Sequence, residues 1–192
     1  MRRSNWYLGA TTVAILLTAC RALQGRLGTS MTAAPRPLVL AADQGERRVR
    51  RAQTLGLSSP FILKVDGQNG GSSDLVMGYE DIPPGQAIAP HRHLQADEII
   101  FVHRGAGVVE LGADTVAFAA GATIYIPKQV RIAVRNTGVE PVTIAFVFSK
   151  PGFEQYLRDT SVPEGQPVLP LSVAERTAIR AHHQWHTVYE RP

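Results

Sequence analysis

The chain of 192 residues has a single cysteine, Cys20, so no intrachain disulfide can form and no thiol nucleophile is available anywhere else. Long apolar runs are also missing. The most apolar stretch, residues 6–17, is well short of the roughly 20 residues that a stable membrane-spanning helix needs. Charge of one sign is scarce as well: 20 Lys and Arg against 16 Asp and Glu leave +4, and removing Arg2 and Arg3 with a cleaved leader leaves 4 − 2 = +2. So small an excess gives no electrostatic footprint for DNA or RNA, and no nucleic-acid partner is expected.

What is present at the start of the chain has the order of a secretory signal. Arg2 and Arg3 precede the apolar stretch, which ends in Leu17-Thr18-Ala19-Cys20. Those four residues resemble the bacterial lipobox, in which the cysteine is acylated and becomes the first residue of the mature protein. The resemblance implies a signal peptide over residues 1–19 and an exported protein anchored by lipid at Cys20 to the cell envelope, with the membrane as a partner. Arg21 in place of an aspartate leans towards the outer membrane in a bacterium that has two membranes, and the anchor then faces the periplasmic or outer-surface side. Residues 20–37 are small and polar, with Gly25, Gly28, Pro35 and Pro37, and read as a flexible tether. The cluster Arg47, Arg48, Arg50 and Arg51 reads as a solvated stretch entering the domain, with attraction to anionic headgroups as its functional alternative.

From residue 38 onward the pattern is of short strands punctuated by turn formers. Leu38 to Leu40, Phe61 to Val65 and Leu75 to Tyr79 are strand candidates, the last two joined by a loop dense in Gly, Asn and Ser. Further candidates are Gly107 to Leu111, Val116 to Phe118, Thr123 to Ile126, Arg131 to Arg135 and Val142 to Phe148. Between Ile99 and Val102 both faces are apolar, which fits a strand covered on both sides and is compatible with a homodimer. Regular short strands of this kind mean an all-β sandwich or barrel. After Pro151-Gly152 the period changes. FEQYLRD has helical spacing, and Ser172 with Glu175 forms a capping box for a last helix, along which Ala174, Ala178, Ala181 and Trp185 mark an apolar stripe. His182, His183 and His186 near its end read as solvated or carbonyl-capping groups, or as the source of a substitute metal ligand.

The stretch with chemistry in it is GQAIAPHRHLQADEIIFVHRG, residues 85–105. Residues i and i+2 of a strand share a face, so His91 and His93 look the same way. Across a short turn, Glu98 can arrive from the adjoining strand and complete a two-histidine, one-carboxylate face suited to a divalent first-row metal. His103 lies on the face opposite Glu98 and reads as structural or interfacial.

The spacing of Gly85, His91, His93, Glu98 and Gly105 resembles the first motif of the cupin superfamily, G-x5-H-x-H-x4-E-x6-G. The second motif, G-x5-P-x-G-x2-H-x3-N, is matched at Gly121, Pro127 and Asn136, with Gln129 at the family's glycine and Ile132 at its fourth ligand, a histidine. The first motif occurs once, which resembles a single-domain cupin. The resemblance implies a double-stranded β-helix, or jelly-roll, barrel over residues 38–150, with residues 151–192 a C-terminal helical extension packed on it. It also implies a metal held by His91, His93 and Glu98 alone. The donor set suits Fe, Mn, Ni, Co or Zn.

PGFEQYLRD after the last strand is similar to the exit segment of quercetin-dioxygenase-like cupins. That likeness implies an oxidoreductase acting on a small organic substrate, with Glu98 as both ligand and proton acceptor. The alternative is a non-catalytic small-molecule-binding module, in which Ile132 and Val134 supply an apolar wall.

Overall fold

The computed structural model describes residues 34–51 and 59–190. The expected signal segment, Cys20 and most of the tether lie outside them.

Among the described residues, twelve strands and two helices follow in chain order. The strands before the second histidine are β1 (Glu46–Arg50), β2 (Pro60–Val65), β3 (Val76–Ile82) and β4 (Ala87–His93). Next come β5 (Glu98–Arg104), β6 (Ala106–Leu111), β7 (Asp114–Ala119), β8 (Thr123–Ile126), β9 (Arg131–Asn136) and β10 (Val142–Phe148). The chain ends with α1 (Phe153–Asp159), β11 (Ser161–Pro163), α2 (Val173–His183) and β12 (Thr187–Tyr189). Two antiparallel sheets, ordered β11-β1-β2-β3-β10-β5-β8 and β12-β4-β9-β6-β7, face each other as a jelly roll. Strand alternation explains the layering, since one side of each strand faces the other sheet. On β5, for example, Glu98, Ile100 and Val102 are buried while Ile99 and Phe101 are 44% and 43% exposed.

Two apolar clusters fill the interior. One joins Ile100, Val102, Ile124, Ile132, Val134 and Ile144 between the sheets. The other joins Phe61, Leu63, Phe146, Phe148, Tyr156 and Leu157 at the end covered by the helices.

Several expectations need correction. Leu38 to Leu40 is not a strand, and Val39 is 97% exposed. The first strand is instead the arginine cluster, because acids across the fold neutralise it: Arg47 pairs with Glu164, Arg48 with Glu46, Arg50 with Glu80 and Arg51 with Glu175. A solvated entry stretch, or a free headgroup-binding patch, is therefore the wrong description of these four residues. Within a single chain only the inner face of β5 is covered, and Ile99 and Phe101 on its outer face are left open. The stripe Ala174, Ala178, Ala181 and Trp185 faces outward. α2 turns Ile179, Arg180 and His183 inward, so an alanine-rich stripe misreports the contact face. Residues 151–192 also do more than pack as helices: β11 pairs with β1 and β12 pairs with β4, one strand added to each sheet.

Candidate metal centre

β4 and β5 bring His91, His93 and Glu98 together as the spacing predicts. The side chains are 4%, 3% and 5% exposed, and one ligand atom from each lies within 4.8 Å of the others. β4 presents both imidazoles inward, and the turn after Leu94 returns Glu98 beside them. Leu94 N donates to the His186 carbonyl and Gln129 N to the His93 carbonyl, so the turn is pinned from two directions.

The hydrogen bonds fix which ring nitrogens face the centre. His91 Nδ1 donates to the Ala89 carbonyl at 2.8 Å, which leaves Nε2 with a lone pair. The state of His93 follows from a longer chain that starts at the surface. Asp159 Oδ2 accepts from His183 Nε2 at 2.7 Å, and in the proton order that leaves His93 Nε2 bare, His183 Nδ1 accepts from His186 Nε2, 2.9 Å away. His186 Nδ1 then accepts from the Thr187 hydroxyl at 2.8 Å, and Thr187 Oγ1 accepts from His93 Nδ1 at 3.3 Å. With its proton on Nδ1, His93 also turns a bare Nε2 towards the centre.

Two lone pairs thus face each other at 3.1 Å, with Glu98 Oε2 3.4 Å from His93 Nε2. Glu98 Oε2 is buried without a hydrogen-bond partner among the described residues. Two nitrogens bound at right angles to one ion at about 2.1 Å stand about 3 Å apart, the separation found here. Convergent acceptors with no donor between them are repulsive unless a cation or proton lies there, so the three residues fit a divalent metal.

The electrostatics agree. Burial pushes His91 down to about 4, with neighbouring His93 adding to the effect, and burial pushes His93 down to about 3. Both imidazoles are therefore neutral, the ligating form. Burial pushes Glu98 up to about 7, His91 opposing and the negative Glu80 adding to it.

The centre opens on a small cavity of about 20 Å³, enough for one water-sized occupant, lined by His91, Glu98, Ile132 and Val134 among others. Ile132 pairs with His91 across β4 and β9, is 1% exposed, and supplies an aliphatic wall where the motif has its fourth ligand. His183 and His186 do not replace that ligand, since their ring nitrogens are engaged by Asp159, by each other and by Thr187. They are buried, which corrects the expectation of solvated groups; of the three only His182 is exposed. His103 is exposed on the outer face of β5 and takes no part.

Sequence reasoning missed Phe153 and Tyr189, whose rings stack on His91, and missed Thr187. A Thr-x-Tyr strand after a histidine-rich helix end carries no motif that would have marked it.

Residues 78–148 match the family model of the cupin domain. Among curated relatives, protein SchB of Streptomyces halstedii is 33% identical over 76 residues, covering 40% of this chain and 55% of that protein. The tetracenomycin polyketide synthase protein TcmJ of Streptomyces glaucescens is 21% identical over 123 residues, 58% of this chain and 81% of that one. The polyketide synthase CurC of Streptomyces cyaneus is 30% identical over 41% of this chain and 51% of its own length. This chain thus spans about half the length of SchB and CurC. Among solved structures, a predicted oxalate decarboxylase of Thermotoga maritima superposes with a TM-score of 0.52 at 16% identity, over 59% of this chain and all of that one, a likeness of fold. Residues 78–148, β3 to β10, are thus similar to the cupin domain, and the jelly roll that carries them has the cupin fold.

Proposed function

We propose that the domain holds one divalent transition metal on His91 Nε2, His93 Nε2 and Glu98, and that the loaded centre acts on a small organic substrate. The observation that carries this reading is the convergence of three buried ligand atoms, from His91, His93 and Glu98, within 4.8 Å of one another, with Glu98 Oε2 lacking a hydrogen-bond partner among the described residues. A bound divalent ion would supply Lewis acidity to substrate oxygens and, if redox-active, access to dioxygen chemistry. The chain's own residues set the rest: His91 and His93 stay neutral, Glu98 accepts a proton at Oε2 when not ligating, and Ile132 with Phe148 and Phe153 gives the cavity an apolar wall. TcmJ and CurC are by name polyketide synthase proteins, which favours an oxygen-rich organic substrate for this chain as well. The lipobox-like segment adds export and a lipid anchor at Cys20 to the proposal.

Elemental analysis of the untagged, signal-cleaved protein is expected to find up to one transition metal per chain, lost in His93→Ala. Absence of metal with no uptake on reconstitution refutes the reading. Oxygen consumption with a panel of flavonols and small enols then separates a dioxygenase-like reaction from an isomerase. Labelling with a radioactive fatty acid, abolished by Cys20→Ser, tests the anchor. Ile132 at the fourth corner favours one second reading, a binding module without turnover in which metal and ligand bind but no oxygen is consumed.

A further inference from the structure

A second cavity, of about 220 Å³, adjoins the metal centre, with Arg50, Glu80, Ile88 and Tyr189 lining both. Four arginines contribute to its wall: Arg50, Arg51, Arg176 and Arg180. The acids of this face are already taken, Glu80 by a two-pronged contact with Arg50 at 2.6 and 2.8 Å and Glu175 by Arg51 at 3.0 Å. Arg176 and Arg180 stand one turn apart on α2, like charges on one face that repel each other. The Arg180 guanidinium lies 4.8 Å from the centre of the Tyr189 ring. Arg176 Nη1 and Arg180 Nε are both buried without a hydrogen-bond acceptor among the described residues. Buried guanidinium N–H groups without acceptors are costly, and a planar fork of donors matches the oxygens of a carboxylate or phosphate. Ile82, Ile88 and Leu171 give the same cavity an apolar side.

We propose that this cavity binds a compact organic oxyanion, a carboxylate or a phosphate monoester with an apolar body, through Arg176 and Arg180. The ligand's apolar part rests against Ile88 and Tyr189, the residues shared with the metal centre. The proposal deepens the function given above by naming the substrate class, and depends on the metal only for what happens at the ligand's far end.

The test is calorimetric titration of the full, metal-stripped chain with benzoate, phenyl phosphate and neutral benzamide. At least one anion is expected to bind at least about tenfold more tightly than benzamide, as lost charge-assisted hydrogen bonds dictate, and the tighter of the two names the group. The double variant Arg176→Gln with Arg180→Gln is expected to abolish that preference. Should it not fold, Arg176→Gln alone, at a partly exposed position, is expected to weaken the anion about tenfold while leaving benzamide unchanged. Equal binding of all three probes, or an anion affinity unchanged in the variant that folds, overturns the proposal. His93→Ala keeps the two readings apart: it removes metal under the first and leaves benzoate or phenyl phosphate binding intact under the second.

Discussion

At the scale of single residues, the informative ones carry their chemistry in protonation and in backbone angle. Glu98 in the metal-free protein holds its proton up to about pH 7, against an ordinary value of 4.5, because it is buried beside the negative Glu80. A cation entering the centre must displace that proton below about pH 7 and finds none above it. His91 and His93, at about 4 and 3, do not compete until the solution is far more acidic. Metal affinity is therefore expected to be flat above about pH 8 and to fall about tenfold per unit below about pH 6. Titrations in buffers of different ionisation enthalpy should show about one proton released at the acidic end and none at the alkaline end. A pH-independent affinity would mean that Glu98 is not a ligand. Gln129 makes a different point. It stands where the cupin motif has glycine and still adopts the left-handed backbone, with φ of 69°, while its N–H holds the His93 carbonyl at 2.7 Å. A non-glycine residue pays about 1–2 kcal/mol there, and glycine's extra freedom in the unfolded chain offsets part of the gain from replacing it. Gln129→Gly is expected to raise stability by about 0.5–1 kcal/mol, read as a higher denaturant midpoint with an unchanged slope.

At the scale of elements, most of the barrel could be read from the sequence because alternating strands report their own buried face. β2, β3 and β5 to β10 fall where apolar runs and turn formers put them, and His91, His93 and Glu98 meet as their spacing requires. Legibility failed where partners are remote in sequence. Nothing within the arginine cluster says that Glu80, Glu164 and Glu175 will neutralise it, so a strand looked like a solvated linker. Nothing in His183-Gln184-Trp185-His186-Thr187 says that it threads beside β4, so a buried polar chain looked like a helix end in water. β12 now carries a testable role. Thr187 is 3% exposed and its hydroxyl links His93 Nδ1 to His186 Nδ1. Thr187→Val keeps shape and strand propensity but removes that link, which frees His93 to carry its proton on Nε2 and so block its own ligating atom. Metal affinity is expected to fall about 10- to 100-fold and to recover in Thr187→Ser. Equal metal affinity in threonine and valine proteins would show that the chain to Asp159 does not orient His93.

At the scale of the whole molecule, the boundary that the sequence suggests at residue 150 does not divide the structure. The segment 151–192 supplies an edge strand to each sheet, covers Phe146 and Phe148 with Phe153, Tyr156 and Leu157, and carries Thr187 to the centre. Tyr156 and Leu157 are 7% and 0% exposed, and each such side chain contributes about 1.5–3 kcal/mol by leaving water. Cutting the chain after Lys150 would also uncover the rings they shelter and remove the ion pairs of Glu46 with Arg158 and of Arg47 with Glu164. Arg158 further holds the fully buried Asp66, which would be left without its guanidinium partner. The total, on the order of 10 kcal/mol, is comparable with the whole stability of an ordinary domain of about 5–15 kcal/mol. A chain ending at Lys150 is therefore expected to be insoluble or to lack a cooperative thermal transition. If residues 151–192 were a dispensable extension, the shortened chain would instead melt cooperatively, keep its strand signature by circular dichroism and still bind metal through His91, His93 and Glu98.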